Sequence, residues 1–156
     1  MQVLAQEEYG LRCLVALSRH KGETPQTIQD IARAEGLSAD YAAKLLRALR
    51  RGGLVASTRG ASGGYRLTRP AAEITLWDGI QVLGSALFPE RFCECHPGQQ
   101  ARCIRRGDCS LRPIWQAVDV AVQTVLSRIS LADLQRDEPA MQSWLRELPQ
   151  GAGSAS

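Results

Sequence analysis

Residues 27–65, TIQDIARAEGLSADYAAKLLRALRRGGLVASTRGASGGY, decide the fold. Thr27 and Asp30 stand at capping-box spacing and open a short helix whose apolar side is Ile28, Ile31 and Ala32. Gly36 ends that helix, Leu37 fills the turn, and Ser38 can cap a second helix over 39–51. In the second helix Tyr41, Ala42, Leu45, Leu46 and Leu49 form one stripe, whereas Lys44, Arg47 and Arg51 fall at i, i+3 and i+7 on another face. Gly52-Gly53 stops it. Two short helices around a glycine-containing turn, the second with a basic face, make a helix-turn-helix pattern. Leu54–Thr58 and Gly64–Thr68 read as strands joined by a glycine-rich tip at 59–63, which predicts a β-hairpin. A phosphate-binding P-loop needs Lys and then Ser or Thr after its glycines. Tyr65 and Arg66 follow here, so the hairpin is read as a wing.

Outward from this unit, Tyr9, Cys13, Ala16 and Leu17 share one face of a helix over 7–18, where Cys13 serves as a small apolar filler. Gly22 and Pro25 break the chain. Beyond Pro70, Thr75 and Asp78 form a second capping box for a helix running to about Leu83. Residues 86–110 lose periodicity and predict a loop. From Ser110 to about Ile129 a long helix carries Leu111, Ile114, Trp115, Val118, Val122, Val125 and Ile129 at three-and-four spacing, suited to packing within one lobe or to a dimer seam. Ser130–Asp133 starts one more short helix, and Gly151–Ser156 is composed like a flexible linker. The expected fold is mainly α with a small β-hairpin wing: a winged helix-turn-helix plus a long C-terminal dimerisation helix. It divides into the winged helix-turn-helix at 1–70, the aperiodic loop and long helix at 71–140, and a tail at 141–156.

Of the 156 residues, 44% are hydrophobic and 22% charged, which excludes a disordered or collagenous chain. No apolar run approaches the roughly 18–20 residues of a membrane span, and the N-terminus lacks the layout of a secretory signal. A cytoplasmic protein without membrane contact is expected. The net charge of +3 hides an asymmetry: residues 1–70 hold 11 Lys and Arg against 6 Asp and Glu, and residues 71–156 hold 8 against 10. Between 41 and 69 there are seven cations and no acid. That run suits a polyanion better than an ordinary solvated face.

A recognition helix in a winged module enters the major groove, and the wing meets backbone or minor groove. Lys44 and Arg47 can donate to guanine, Ala43 can accept a thymine methyl, and Ser38 and Tyr41 can bond phosphate. Arg59, Ser62 and the Gly60–Gly64 backbone are the candidate wing contacts. The expected partner is double-stranded promoter DNA.

Cys93, Cys95, Cys103 and Cys109 fall within 17 residues, apart from Cys13. In a reducing compartment clustered thiols indicate a metal or redox site. Arg91, Arg102, Arg105, Arg106 and Arg112 surround them and favour thiolates. Gaps of seven and five residues fit tight zinc knuckles poorly, which leaves an iron–sulfur cluster, zinc or a thiol switch open, in that order. An enzyme with a Cys–His96 pair is disfavoured because no cofactor motif or carboxylate constellation accompanies it. A protein-interaction adaptor is disfavoured by the basic run.

These residues carry a resemblance over nearly the whole chain. Tyr9, Gly36-Leu37-Ser38 before Tyr41, Leu49-Arg50, Gly53-Leu54-Val55, Arg59-Gly60, Gly63-Gly64-Tyr65, and Cys103 and Cys109 ahead of Trp115 resemble the IscR/NsrR/CymR family of bacterial winged-helix transcription regulators. The cluster-bearing branch is the nearer match. The resemblance implies a homodimer crossed through the long helix, a pseudo-palindromic promoter site, and an iron–sulfur cluster (2Fe-2S or 4Fe-4S) that modulates DNA binding. It implies Cys103 and Cys109 as ligands with a third cysteine upstream; Cys95 needs the smaller loop insertion, and Cys93 is the alternative. Where some relatives carry a ligating His three residues after the last cysteine, this chain has Arg112, which cannot ligate. Other relatives draw a carboxylate from the partner's first helix, which implies Glu8 as fourth ligand, with Cys93 and His96 as rivals. The competing reading is a winged-helix repressor with a zinc or thiol switch and no cluster.

Overall fold

The computed structural model describes residues 3–22, 24–58, 60, 63–84 and 92–148. Helix α1 (Ala5–Arg19) is followed by α2 (Ile28–Glu35) and α3 (Ala39–Arg51). Strands β1 (Val55–Thr58) and β2 (Gly64–Leu67) pair antiparallel, with Val55 opposite Leu67 and Thr58 opposite Gly64. Helices α4 (Leu76–Leu83), α5 (Phe92–Cys95), α6 (Leu111–Leu126) and α7 (Glu138–Glu147) complete the chain, with single 3₁₀ turns at Ala71–Glu73 and Asp133–Gln135. The predicted winged helix-turn-helix and long helix are therefore present.

Local chemistry sets the boundaries. The Thr75–Asp78 capping box closes on both sides, each side chain accepting the other residue's N–H at about 3 Å. At Thr27 only half of the predicted box forms. Asp30 donates its N–H to the Thr27 hydroxyl, but its carboxylate takes the Thr27 hydroxyl proton at 2.6 Å instead of the backbone N–H. Gly36 ends α2 at φ +65°, a left-handed cap that costs a glycine little.

The core forms where α1, α3 and the segment after the wing meet. Cys13, Leu14 and Leu17 pack with Leu45, Leu46 and Leu49, Leu54 and Val55, and with Ile74, Leu83 and Leu131 from further along the chain. Two observations explain why distant segments join this core. Gln26 and Tyr65 exchange backbone hydrogen bonds of 3.0 and 2.7 Å, tying the wing root to the chain before α2. Gly64 is required there, because a Cβ would collide with the Gln26 carbonyl. Likewise Leu76 donates to the Ile129 carbonyl and Leu131 to the Ile74 carbonyl, at 2.8 and 2.9 Å. The chain thus leaves the core only after α4, whose Leu83 belongs to it, and returns beside the start of α4 after α6.

Three regions differ from the sequence reading. Ser130 and Asp133 bond each other as a helix start would, yet only a 3₁₀ turn follows. The next helix is α7, capped by Asp137, and it runs across the expected boundary between 140 and 141. Within 86–110 a short turn of helix, α5, holds Cys93 and Cys95.

Leu46 is fully buried. Leu46→Ala should lower the unfolding free energy by about 2–5 kcal/mol in urea melts. Cys13 is also fully buried, and burial chiefly pushes its thiol up to about 11. In native protein at pH 8 it should resist iodoacetamide, with modification at Cys13 by mass spectrometry appearing only on unfolding.

Candidate nucleic-acid interface and cysteine loop

Helix α3 is held by its apolar face and presents its cations outward. Ala42, Leu45, Leu46 and Leu49 are buried, whereas Lys44, Arg47, Arg50 and Arg51 are exposed. Among the described residues neither Lys44 nor Arg47 has an ion-pair partner, so both are available to an anion. Arg50 instead donates to the Ser57 hydroxyl at 3.1 Å, which fixes the hairpin against α3.

The other predicted contacts have structural duties as well. The Ser38 hydroxyl accepts the Tyr41 N–H at 3.2 Å as the N-cap of α3. Tyr41 is half-buried, and its ring meets the Tyr9 ring edge-on at a centroid distance of 6.0 Å. Ala43 is half-buried beside Lys44. In the wing, Gly60 is exposed at φ +110° and Gly64 is half-buried. Arg59 and Ser62 lie outside the described residues.

Sequence reading missed the brace behind this face. Arg12 donates to the Glu35 carboxylate at 2.8 Å and to the Glu35 carbonyl at 3.0 Å, and its guanidinium lies 5.3 Å from the Tyr9 ring centre. It ties α1 to the end of α2. No local spacing signals a pair 23 residues apart.

The cysteine loop sits ahead of α6. Cys93, Cys103 and Cys109 are half-buried and Cys95 is exposed. A cavity of about 420 Å³ is lined by Cys93 and Cys103 together with Glu94, Arg102, Arg106 and Arg112. Cys95 and Cys109 are not in its lining. Turns at Cys103–Arg106 and Arg105–Asp108 are each closed by a 3.2 Å backbone bond. Arg91 lies outside the described residues, and His96 is exposed.

Glu8 is exposed on α1, next to Glu7, which is buried and accepts the Leu4 N–H at 2.8 Å. Among the described residues no three His, Cys, Asp or Glu side chains of one chain gather closely enough to hold a metal ion. The donor chemistry nonetheless fits a thiophilic group: four thiols in one loop with cationic neighbours and a concave space between two of them.

This architecture matches the family model Rrf2, described as an iron-dependent transcriptional regulator, over residues 4–137. The chain belongs to the Rrf2 family. It is 36% identical to Protein rrf2 of Nitratidesulfovibrio vulgaris over 88% of this chain and 89% of that protein. It is 33% identical to the regulator CymR of Bacillus subtilis over 86% of this chain and 89% of that protein. Among solved structures, T. potens IscR superposes with a TM-score of 0.67 at 31% identity, covering 92% of this chain and 90% of that one. CymR, the global cysteine regulator of B. subtilis, superposes with a TM-score of 0.68 at 31% identity, covering 88% and 99%. The resemblance to IscR and CymR is thereby established. The protein is a winged-helix, DNA-binding transcriptional regulator, and its fold and relatives are not those of an enzyme. No helix among the described residues is long and apolar enough to cross a membrane.

Lys44→Ala combined with Arg47→Ala should cost about 100-fold or more in affinity for a duplex selected by the wild-type protein from a random library. The same variant should flatten the salt dependence, which for about eight phosphate contacts has a slope near −7 in log K against log salt. Fluorescence anisotropy over a salt series checks both.

Proposed function

We propose that this Rrf2-family regulator binds promoter DNA as a homodimer and that an iron–sulfur cluster in the cysteine loop modulates that binding. The cluster would answer to redox, nitric oxide or iron–sulfur status. The observation that carries the reading is the placement of the thiols. Cys93, Cys95, Cys103 and Cys109 stand in one arginine-rich loop, beside a cavity, between the winged unit at 1–70 and a helix with an unpartnered apolar face.

That face supports the dimer. No residue of α6 is buried, and Leu111, Ile114, Trp115, Val118 and Val125 are 39–58% exposed along one stripe. Such a stripe suits a second copy of the same helix, and a two-fold dimer would in turn suit a pseudo-palindromic site.

Within the loop, Cys103 and Cys109, with Cys95 or Cys93, would supply thiolates, and exposed Glu8 of the partner would supply a carboxylate. Bound there, the cluster supplies a redox- and nitric-oxide-sensitive crosslink between loop segments. The arginines favour the ionised thiols, and Glu8 would tether α1 of one subunit to the loop of the other. Losing that tether would free the end of α1, whose body packs against α3.

The decisive experiment is an anaerobic visible spectrum with iron and sulfide assays, paired with DNA binding of loaded and metal-free protein. Coloured protein with equimolar iron and sulfide, and operator affinity that changes on cluster removal, is the expected result. Colourless protein, or equal affinity in both forms, would sink the reading. Cys103→Ala, Cys109→Ala and Glu8→Ala should each reduce or alter the absorbance. Ile114→Asp with Val118→Asp should give a monomer in sedimentation with unchanged helicity, and a persisting dimer would remove α6 from the interface.

A further inference from the structure

We propose that Arg112 is the positioning residue of the cysteine loop, and that it makes Cys93, not Cys95, the first cavity-facing sulfur. This rests on the cluster reading above and deepens it. Cys93 and Cys95 lie two residues apart on the single turn α5. At about 100° per residue, side chains at i and i+2 point to nearly opposite sides, so only one of the pair can face the cavity. Cys93 lines it and is half-buried, whereas Cys95 is exposed and outside the lining.

One guanidinium nitrogen accounts for this choice. Arg112 Nη2 lies 3.9 Å from Cys93 Sγ and donates to the Arg106 carbonyl at 3.3 Å. Arg112 itself is half-buried on the first turn of α6. It therefore ties both limbs of the loop, the α5 turn and the Cys103–Arg106 turn, to the head of one rigid helix. Arg106 N–H in turn bonds the Cys103 carbonyl at 3.2 Å, which carries the constraint to the second sulfur. A guanidinium fork has the donors to satisfy two acceptors at once; a lysine ammonium at the end of a flexible stem holds such a geometry less firmly. Arg112 cannot ligate a metal, but a donor aimed at a ligating sulfur orients that ligand and favours the more reduced state.

The test uses the full chain, as wild type and as Cys93→Ala, Cys93→Ser, Cys95→Ala, Arg112→Ala and Arg112→Lys, reconstituted anaerobically with ferrous iron and sulfide. Cys95→Ala should keep wild-type iron and sulfide per chain, while both Cys93 variants should lose them several-fold. Arg112→Ala should shift the reduction potential downward, and Arg112→Lys should recover part of that shift. In metal-free protein, Arg112→Ala should speed amide exchange across residues 92–106 several-fold. Loss of iron in Cys95→Ala with retention in the Cys93 variants overturns the choice of sulfur. Exchange and potential both unchanged in Arg112→Ala overturn the brace. A wild type that takes up neither iron nor sulfide overturns the cluster reading and the sulfur assignment with it, and the exchange measurement still decides the brace alone.

Discussion

The molecule depends on the burial of one face of α3. Ala42, Leu45, Leu46 and Leu49 are held against Cys13, Leu14 and Leu17 of α1, and this fixes the rotation of α3 about its own axis. Lys44 and Arg47 then point outward because no apolar side remains for them. A major groove is read by a few side chains on one helix face, so the geometry of readout is set from behind. Arg12, joined to Glu35, fixes α1 against α2, and Arg50, joined to Ser57, fixes the wing against α3.

The α3 arrangement was legible because a helix writes its two faces into spacing. Leu45, Leu46 and Leu49 against Lys44, Arg47 and Arg51 leave one solution. The hairpin was legible from its glycines, although Leu67 rather than Thr68 ends β2. Contacts between distant segments were not legible. Gln26 pairing with Tyr65, and Ile74 with Leu131, are backbone bonds that carry no side-chain signature. Helix α7 was missed because Ser130 and Asp133 offer a stronger start signal than Asp137, and the chain after Ser130 spends it on a 3₁₀ turn.

Periodicity correctly marked α6 as two-faced but left its apolar stripe with two possible occupants. The stripe of Leu111, Ile114, Trp115, Val118 and Val125 is exposed, and the face turned toward the rest of the chain holds Arg112, Asp119 and Leu126, with Val122 of the stripe half-buried at its edge. That inner face includes two charged residues, and one carboxylate oxygen of Asp119 is buried without a hydrogen-bond partner. A helix whose better apolar face looks outward is not stabilised chiefly by its own subunit. The cysteine loop is fastened to α6 through Arg112, and the apolar stripe of α6 stays open among the described residues.

The connection back to α3 follows from where the chain re-enters the core. The excursion from Leu76 to Ile129 contains α4, the cysteine loop and α6, and its two ends are bonded to each other across Thr75 and Ser130. Immediately outside this clasp stand Ile74 and Leu131, both fully buried in the cluster that seats α3. A close-packed core does not deform continuously. A rearrangement of the excursion must therefore either leave α4 and the clasp in place, moving α6 as a unit, or disturb the residues that orient Lys44 and Arg47. In the dimer proposed above, the first case changes the spacing between the two copies of α3, and the second changes how each copy is seated. In the proposed regulator, moving α6 about an intact clasp leaves the core that seats α3 undisturbed, which makes it the less costly mode.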